Sequence, residues 1–204
     1  MALVSLVAVE TNAAGERVNF MASADLSEPP EQQLPALAWQ AVIADTLTAR
    51  GVTVAAYVPD TRLQPILSRL ADNGVCLRSL SREEECVGYA AGQRIAGRRP
   101  VVLMQSSGLG NALNAIGSLA VPYRLGLPLV VSMRGTLGEA NPSQVPLGRA
   151  ASSLLGTLGI QSFSVRNAAA AEQVTAGVTT LAFEAGECAA VILEAELGGG
   201  REGN

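Results

Sequence analysis

Three consecutive carboxylates, Glu83, Glu84 and Glu85, open the stretch Ser81-Arg82-Glu83-Glu84-Glu85-Cys86-Val87-Gly88-Tyr89-Ala90-Ala91-Gly92, whose small residues read as a helix packed against a sheet. Adjacent carboxylates can cap a helix, stay solvated, or move a proton, and spacing separates these jobs. Ser81 fits an N-cap and Glu84, three residues on, fits the returning half of a capping box. At 100° per residue, Val87 and Ala90 fall within about 40° of Glu83, Glu84 sits at the edge of that stripe, and Glu85 points away. Glu83 is therefore the inward carboxylate and the candidate catalytic residue. A carboxylate facing a packed interface needs a partner or a raised pKa, and a proton-relay group exploits either condition. Arg94 lies on the same face near the helix end and interrupts the stripe.

Other chemistries are excluded by what is missing. The 204 residues contain no histidine, and all fourteen basic side chains are arginine. Ser-His-Asp and Cys-His nucleophiles, a lysine Schiff base, a Walker lysine and a histidine-bearing zinc site are impossible within such a chain. Catalysis must come from carboxylates, a cofactor or another subunit, and no metal ligands are assigned. The net charge of −4 and scattered arginines argue against nucleic acid. Cys76, Cys86 and Cys188 form no CxxC pair and no even-numbered framework, so they read as reduced core residues in a cytoplasmic protein. No apolar run approaches the ~18 residues of a membrane span, so no membrane partner is expected.

These residues need elements to hold them. Residues 1–34 are read as an appendage, polar and proline-rich around Ser27–Gln33 and without core character, with Met21 as an alternative start. A first helix is expected from Ala36 to about Arg50-Gly51, and the run Val54–Val58 then reads as a strand stopped by Pro59-Asp60. The periodicity predicts a second helix from Leu63 to Asn73-Gly74, then strands at Val75–Leu80, Val101–Gln105, Pro128–Ser132, Ile160–Val165 and Ala189–Leu193. Helices are expected from Ser81, near Asn111 and at Ala168–Glu184. About six strands alternating with helices imply an α/β fold, a doubly wound, mostly parallel sheet with helices on both faces, over residues 35–197. Residues 198–204 read as a tail. Ligands of such sheets collect at the carboxyl ends of the strands. Pro59-Asp60-Thr61, Ser81–Glu85, Ser106–Asn111 and Arg134–Gln144 should therefore share one rim.

Gln105-Ser106-Ser107-Gly108-Leu109-Gly110-Asn111 is a glycine-rich strand-to-helix turn whose amides could meet an anion or a closely approaching ligand. It is not a dinucleotide fingerprint: the third glycine is replaced by Leu113, and no acidic residue stands about twenty positions on. Arg134-Gly135-Thr136-Leu137-Gly138-Glu139-Ala140-Asn141-Pro142-Ser143-Gln144 is a long polar loop after a buried strand, suited to a binding or lid segment.

Val58-Pro59-Asp60, Arg82–Glu85, Gly88–Gly92, Gln105–Asn111 and Arg134–Glu139 together resemble, in order, the pyrimidine-binding domain of thiamine-diphosphate decarboxylases. The likeness is to the sulfopyruvate decarboxylase alpha-subunit type and the corresponding half of phosphonopyruvate decarboxylases, over about residues 36–196. It implies that Glu83 is the glutamate contacting N1′ of the cofactor aminopyrimidine. It also implies cofactor contacts from Pro59, Ser107, Gly108 and Asn111, and substrate contacts from Asp60, Thr61, Ser106 and Arg134. The expected substrate is a small 2-oxo acid with an anionic C3 group.

Nothing in the chain matches the family's Gly-Asp-Gly and downstream Asn that hold magnesium and the diphosphate; Asp72-Asn73-Gly74 ends a helix. The resemblance therefore implies that a PP-domain beta subunit binds Mg2+ and that thiamine diphosphate sits between subunits of a hetero-oligomer, alpha2beta2 or larger. Two other expectations stay open: a carboligating enzyme of the same cofactor class, and a non-catalytic flavodoxin-like interaction or nucleotide-binding subunit.

Overall fold

The computed structural model describes residues 8–11, 17–20 and 39–195. The chain divides into two compact units, 1–36 and 37–204. In the first, β1 (Ala8–Thr11) pairs antiparallel with β2 (Arg17–Phe20), in register from Ala8 opposite Phe20 to Thr11 opposite Arg17. The sequence reading placed no strand there. The apolar-polar alternation of Arg17-Val18-Asn19-Phe20 after Asn12-Ala-Ala-Gly15 is the signal it passed over. The segment Ser27–Gln33, Met21, the first residues of the expected helix at 36–38, and the tail at 198–204 lie outside the described residues.

In the second unit, α1 (Trp39–Ala49) is followed by β3 (Val54–Tyr57), α2 (Gln64–Asp72), β4 (Cys76–Ser79), α3 (Glu83–Ile95), β5 (Pro100–Gln105) and α4 (Leu109–Ala115). The chain continues through β6 (Pro128–Ser132), α5 (Val145–Thr157), β7 (Gln161–Val165), α6 (Ala168–Phe183) and β8 (Ala189–Leu193). All six strands are parallel, in the order β4-β3-β5-β6-β8-β7. The expected architecture is therefore present. Its central strands explain why: β6 and β8 are buried at every residue, as continuous apolar runs between two helical layers must be. α1, α2 and α6 pack on one face, and α3, α4 and α5 on the other. After β4 the chain crosses back past β3 to β5, so α2 and α3 lie on opposite faces and the strand order reverses at β3. That reversal opens the rim at the carboxyl ends of β3 and β5.

Three expectations need correction. Cys76 is exposed, because β4 is an edge strand with only one neighbour and little cover; Cys86 and Cys188 are buried. α5 received no assignment from the sequence, although Val145-Pro146-Leu147, Ala151 and Leu155 carry a helical apolar period behind a proline suited to a first turn. The capping of α3 is also shifted by one residue. The helix starts at Glu83 with Arg82 at the N-cap, and the N–H groups of Ser81 and Arg82 donate to Glu85 Oε2 at 3.1 and 3.2 Å. Arg82 offers no side-chain acceptor, so only the returning half of a capping box forms. Glu84 instead receives the Arg82 guanidinium at 2.5 Å, and that hydrogen bond, followed by one from its own backbone N–H, holds its carboxyl below the usual range. Arg94 leaves the apolar stripe by donating to the carbonyls of Leu125 and Phe183 at 3.0 and 3.2 Å.

Substitutions at two positions check this description. Glu85→Ala removes the acceptor of two backbone N–H groups and lowers the melting temperature by about 2–4 °C, whereas Glu85→Gln keeps an oxygen there and changes it less. A β-carbon at Gly148 would stand 2.0 Å from the Arg134 carbonyl oxygen. Gly148→Ala must therefore push α5 away from β6, costing about 1–3 kcal/mol in denaturant unfolding.

Candidate functional site

Glu83 occupies the first turn of α3 and is 9% exposed. Asn111, two residues into α4, donates its Nδ2 to Glu83 Oε2 at 3.1 Å. Oε1 accepts no hydrogen bond among the described residues. The turn between β5 and α4 comes so close that a β-carbon on Gly108 would lie 2.0 Å from Oε1 and 2.3 Å from the carboxyl carbon. Glycine is thus required at 108 for a steric reason, with φ at an ordinary −75°. Behind Glu83, burial and then the charges of Glu83 and Glu85 push the Cys86 thiol up to about 12, so it stays protonated and takes no part in ionic chemistry.

A second cluster surrounds Asp60, whose side chain is 4% exposed. Oδ2 accepts from Arg134 Nη2 and Gln105 Nε2, each at 2.8 Å; Oδ1 accepts from the Arg62 backbone N–H at 2.9 Å and from Ser132 Oγ at 3.3 Å. Burial pushes the Asp60 carboxyl up, but the hydrogen bonds from Arg134 and Gln105 and the charge of Arg134 outweigh it, and the net displacement is downward. Ser106, fully buried, accepts the Arg134 backbone N–H on Oγ at 3.0 Å. Arg62 spans the strand ends by donating to the carbonyls of Met133 and Glu194 at 2.8 Å and of Ala195 at 3.2 Å.

Thus Glu83, Gly108 and Asn111 form one group, and Asp60, Ser106 and Arg134 another. Gln105 ties them through the turn: its Nε2 holds Asp60, and its Oε1 accepts the Ser107 hydroxyl. Pro59 and Thr61 are exposed on the loop that carries Asp60. The sequence reading did not single out Gln105, Arg62 or Ser132 as site residues. Each stands at a strand end or in a strand-to-helix turn, and that position was the available signal. Arg134 is not a solvated loop residue: Asp60 takes its Nη2 at 2.8 Å, and its side chain is 22% exposed. The loop beyond it closes on Glu139, which accepts the N–H groups of Gly135 and Asn141 at 3.2 and 3.0 Å.

Removing the Asp60 charge tests the second cluster. Asp60→Asn leaves Arg134 without its counter-ion and destabilises the chain by on the order of 2–3 kcal/mol at neutral pH. A carboxyl held below its ordinary 3.8 contributes stability above that value and loses it as pH falls through the folded-state pKa. Urea titrations from pH 7 to pH 3 should therefore show the gap between wild type and variant narrowing toward acid. A constant gap would mean that charge is not what Asp60 supplies.

Residues 38–134 match the family described as thiamine pyrophosphate enzyme, N-terminal TPP binding domain. Over 145 residues the chain is 37% identical to the sulfopyruvate decarboxylase subunit alpha of Methanothermobacter thermautotrophicus, covering 71% of this chain and 88% of that one. Identity to the Methanococcus maripaludis protein of the same name is 34% over 146 residues, covering 71% and 87%. The phosphonopyruvate decarboxylase of Streptomyces hygroscopicus is 34% identical over 54% of this chain, which spans only 28% of that longer protein. In fold, the chain resembles the 2-oxoglutarate:ferredoxin oxidoreductase of Magnetococcus marinus with a TM-score of 0.62 at 15% identity, over 79% of this chain and 29% of that one. The chain belongs to the thiamine pyrophosphate enzyme family, among its decarboxylase alpha subunits.

Proposed function

We propose that this chain works as the alpha subunit of a thiamine-diphosphate-dependent 2-oxo-acid decarboxylase of the sulfopyruvate or phosphonopyruvate type, with Glu83 as its catalytic carboxylate. The observation that carries the reading is the half-used Glu83 carboxyl. Asn111 holds Oε2, Gly108 leaves room for Oε1, and Oε1 has no acceptor role among the described residues. A ring nitrogen that shares a proton with a carboxyl fits this arrangement, because a preorganised charge acts strongly where water is excluded.

When bound, thiamine diphosphate supplies the nucleophilic carbon and takes up the electron pair left by carbon dioxide. Glu83 holds and moves a proton at N1′ of its aminopyrimidine, and Asn111 fixes the orientation of the carboxyl. Ser107 and Gly108 line the approach from the β5 turn, with Pro59 at the end of β3. Asp60 and Ser106 place Arg134, and Thr61 faces the substrate side of the same rim. Mg2+ and the diphosphate belong to a PP-domain beta subunit, so the cofactor lies between chains of a hetero-oligomer. Support for that division comes from the relatives: this chain covers most of subunits named alpha but under a third of a decarboxylase that is one longer chain. No helix among the described residues is long and apolar enough to cross a membrane, and we place the complex in the cytoplasm.

Deuterium exchange at the thiazolium C2, followed in the complex with the beta subunit at saturating cofactor, tests the role of Glu83 apart from turnover. Glu83→Gln keeps the size of the side chain but cannot share the proton, and exchange slows by about 10²–10⁴-fold. Glu84→Gln and Glu85→Gln exchange as wild type does. Gly108→Ala, whose β-carbon displaces the Glu83 carboxyl, is slow as well. Wild-type exchange in Glu83→Gln would overturn the assignment.

A further inference from the structure

A cleft of about 460 Å³ lies between the end of β6 and the first turns of α5, with Arg134, Thr136, Arg149, Ser152 and Glu194 among its lining residues. Its volume is that of a small-molecule site. The near-contact of Gly148 with the Arg134 carbonyl draws α5 against the strand end, and Arg149 and Ser152, three residues apart on one helix face, reach the cleft beside Arg134.

The charges of this cleft are unevenly matched. The Arg149 side chain makes no hydrogen bond or ion pair among the described residues. Arg134 gives Nη2 to Asp60, while its Nε is buried without a partner. Glu194, the carboxylate of the lining, is engaged elsewhere: Oε1 accepts from Ser164 Oγ at 2.6 Å and faces Arg166 at 3.9 Å. The Arg149 guanidinium without an acceptor, beside an Arg134 held by Asp60, a hydroxyl one helical turn away, and a carboxylate already paired with Ser164 and Arg166 make a site for an oxyanion.

We propose that this cleft binds a small organic oxyanion, a sulfonate or phosphonate, with Arg149 as its principal donor and Ser152 as a second. Two sources share that chemistry. One is the anionic end of the 2-oxo-acid substrate, which rests on the function proposed above; the other is a free sulfonate or phosphonate acting on the enzyme.

The test uses methanesulfonate as the probe. Calorimetric titration into the full chain needs no cofactor and so is independent of the role of Glu83. Saturable binding is expected, weakened about tenfold or more by Arg149→Gln and largely restored by Arg149→Lys. Arg124→Gln, at the opposite end of the sheet, leaves binding unchanged. Arg149 is exposed on α5, and an unchanged melting temperature shows that its variants fold. Absence of saturable binding, or wild-type affinity in Arg149→Gln, would overturn the proposal. In the complex with the beta subunit, methanesulfonate that competes with an anionic 2-oxo acid identifies the substrate end as the source. Binding without such competition identifies a free oxyanion.

Discussion

The Glu83 carboxyl occupies the space that a side chain on Gly108 would fill. This contact couples two elements that are distant in sequence, the start of α3 after β4 and the turn that follows β5. They can meet because the strand order reverses at β3, so that α3 crosses to the face shared with α4. Everything on the rim inherits its spacing from that crossing. Asn111 reaches Glu83 only because the turn beginning at Gln105 is pinned at its other end.

The pin is Asp60. It accepts four donors on two oxygens and lies almost wholly out of water. A buried carboxylate with so many partners is costly to leave unmatched and rigid when matched. Gln105 carries this rigidity from Asp60 into the Ser107 turn. The two halves of the rim differ accordingly. The Asp60 half is closed upon itself by arginines and carbonyls, while the Glu83 half keeps an unused oxygen and opens beside the exposed Asn111.

Much of this was legible in the residues. The central strands appear as short, uninterrupted apolar runs, and their bounds in the sequence fall within a residue or two of those observed, since burial on both faces permits little else. The inward face of Glu83 followed from the positions of Val87 and Ala90. The capping residue did not, because Ser81 and Glu84 fit a capping box as well as their neighbours do, and only the backbone shows that Glu85 turns back onto Ser81 and Arg82. The Asp60 cluster was out of reach for a different reason. Its members come from three separate strand ends and loops, and no local period joins Asp60 to Gln105, Ser132 and Arg134. α5 was missed because the polar loop before it masked a helix whose apolar face is short.

The all-arginine set of cations also has a physical explanation in the fold. Arg62 meets three carbonyls from two strand ends, Arg94 meets two carbonyls while stacking on Phe183, and Arg99 combines the Arg50 carbonyl with the same ring. A planar guanidinium with five N–H donors can serve several acceptors and a ring at once, which a lysine ammonium on its single point cannot. In an α/β sheet these acceptors are strand-end and helix-end carbonyls, so the arginines replace water where the chain turns. Among the described arginines of the second unit, Arg98 and Arg149 alone have side chains that make no hydrogen bond, ion pair or ring contact. Arg98 precedes β5 at the amino end of the sheet, far from the strand carboxyl ends in sequence and topology. Arg149 stands at their rim, beside Arg134, where an added anion meets a charge that the fold has not already neutralised.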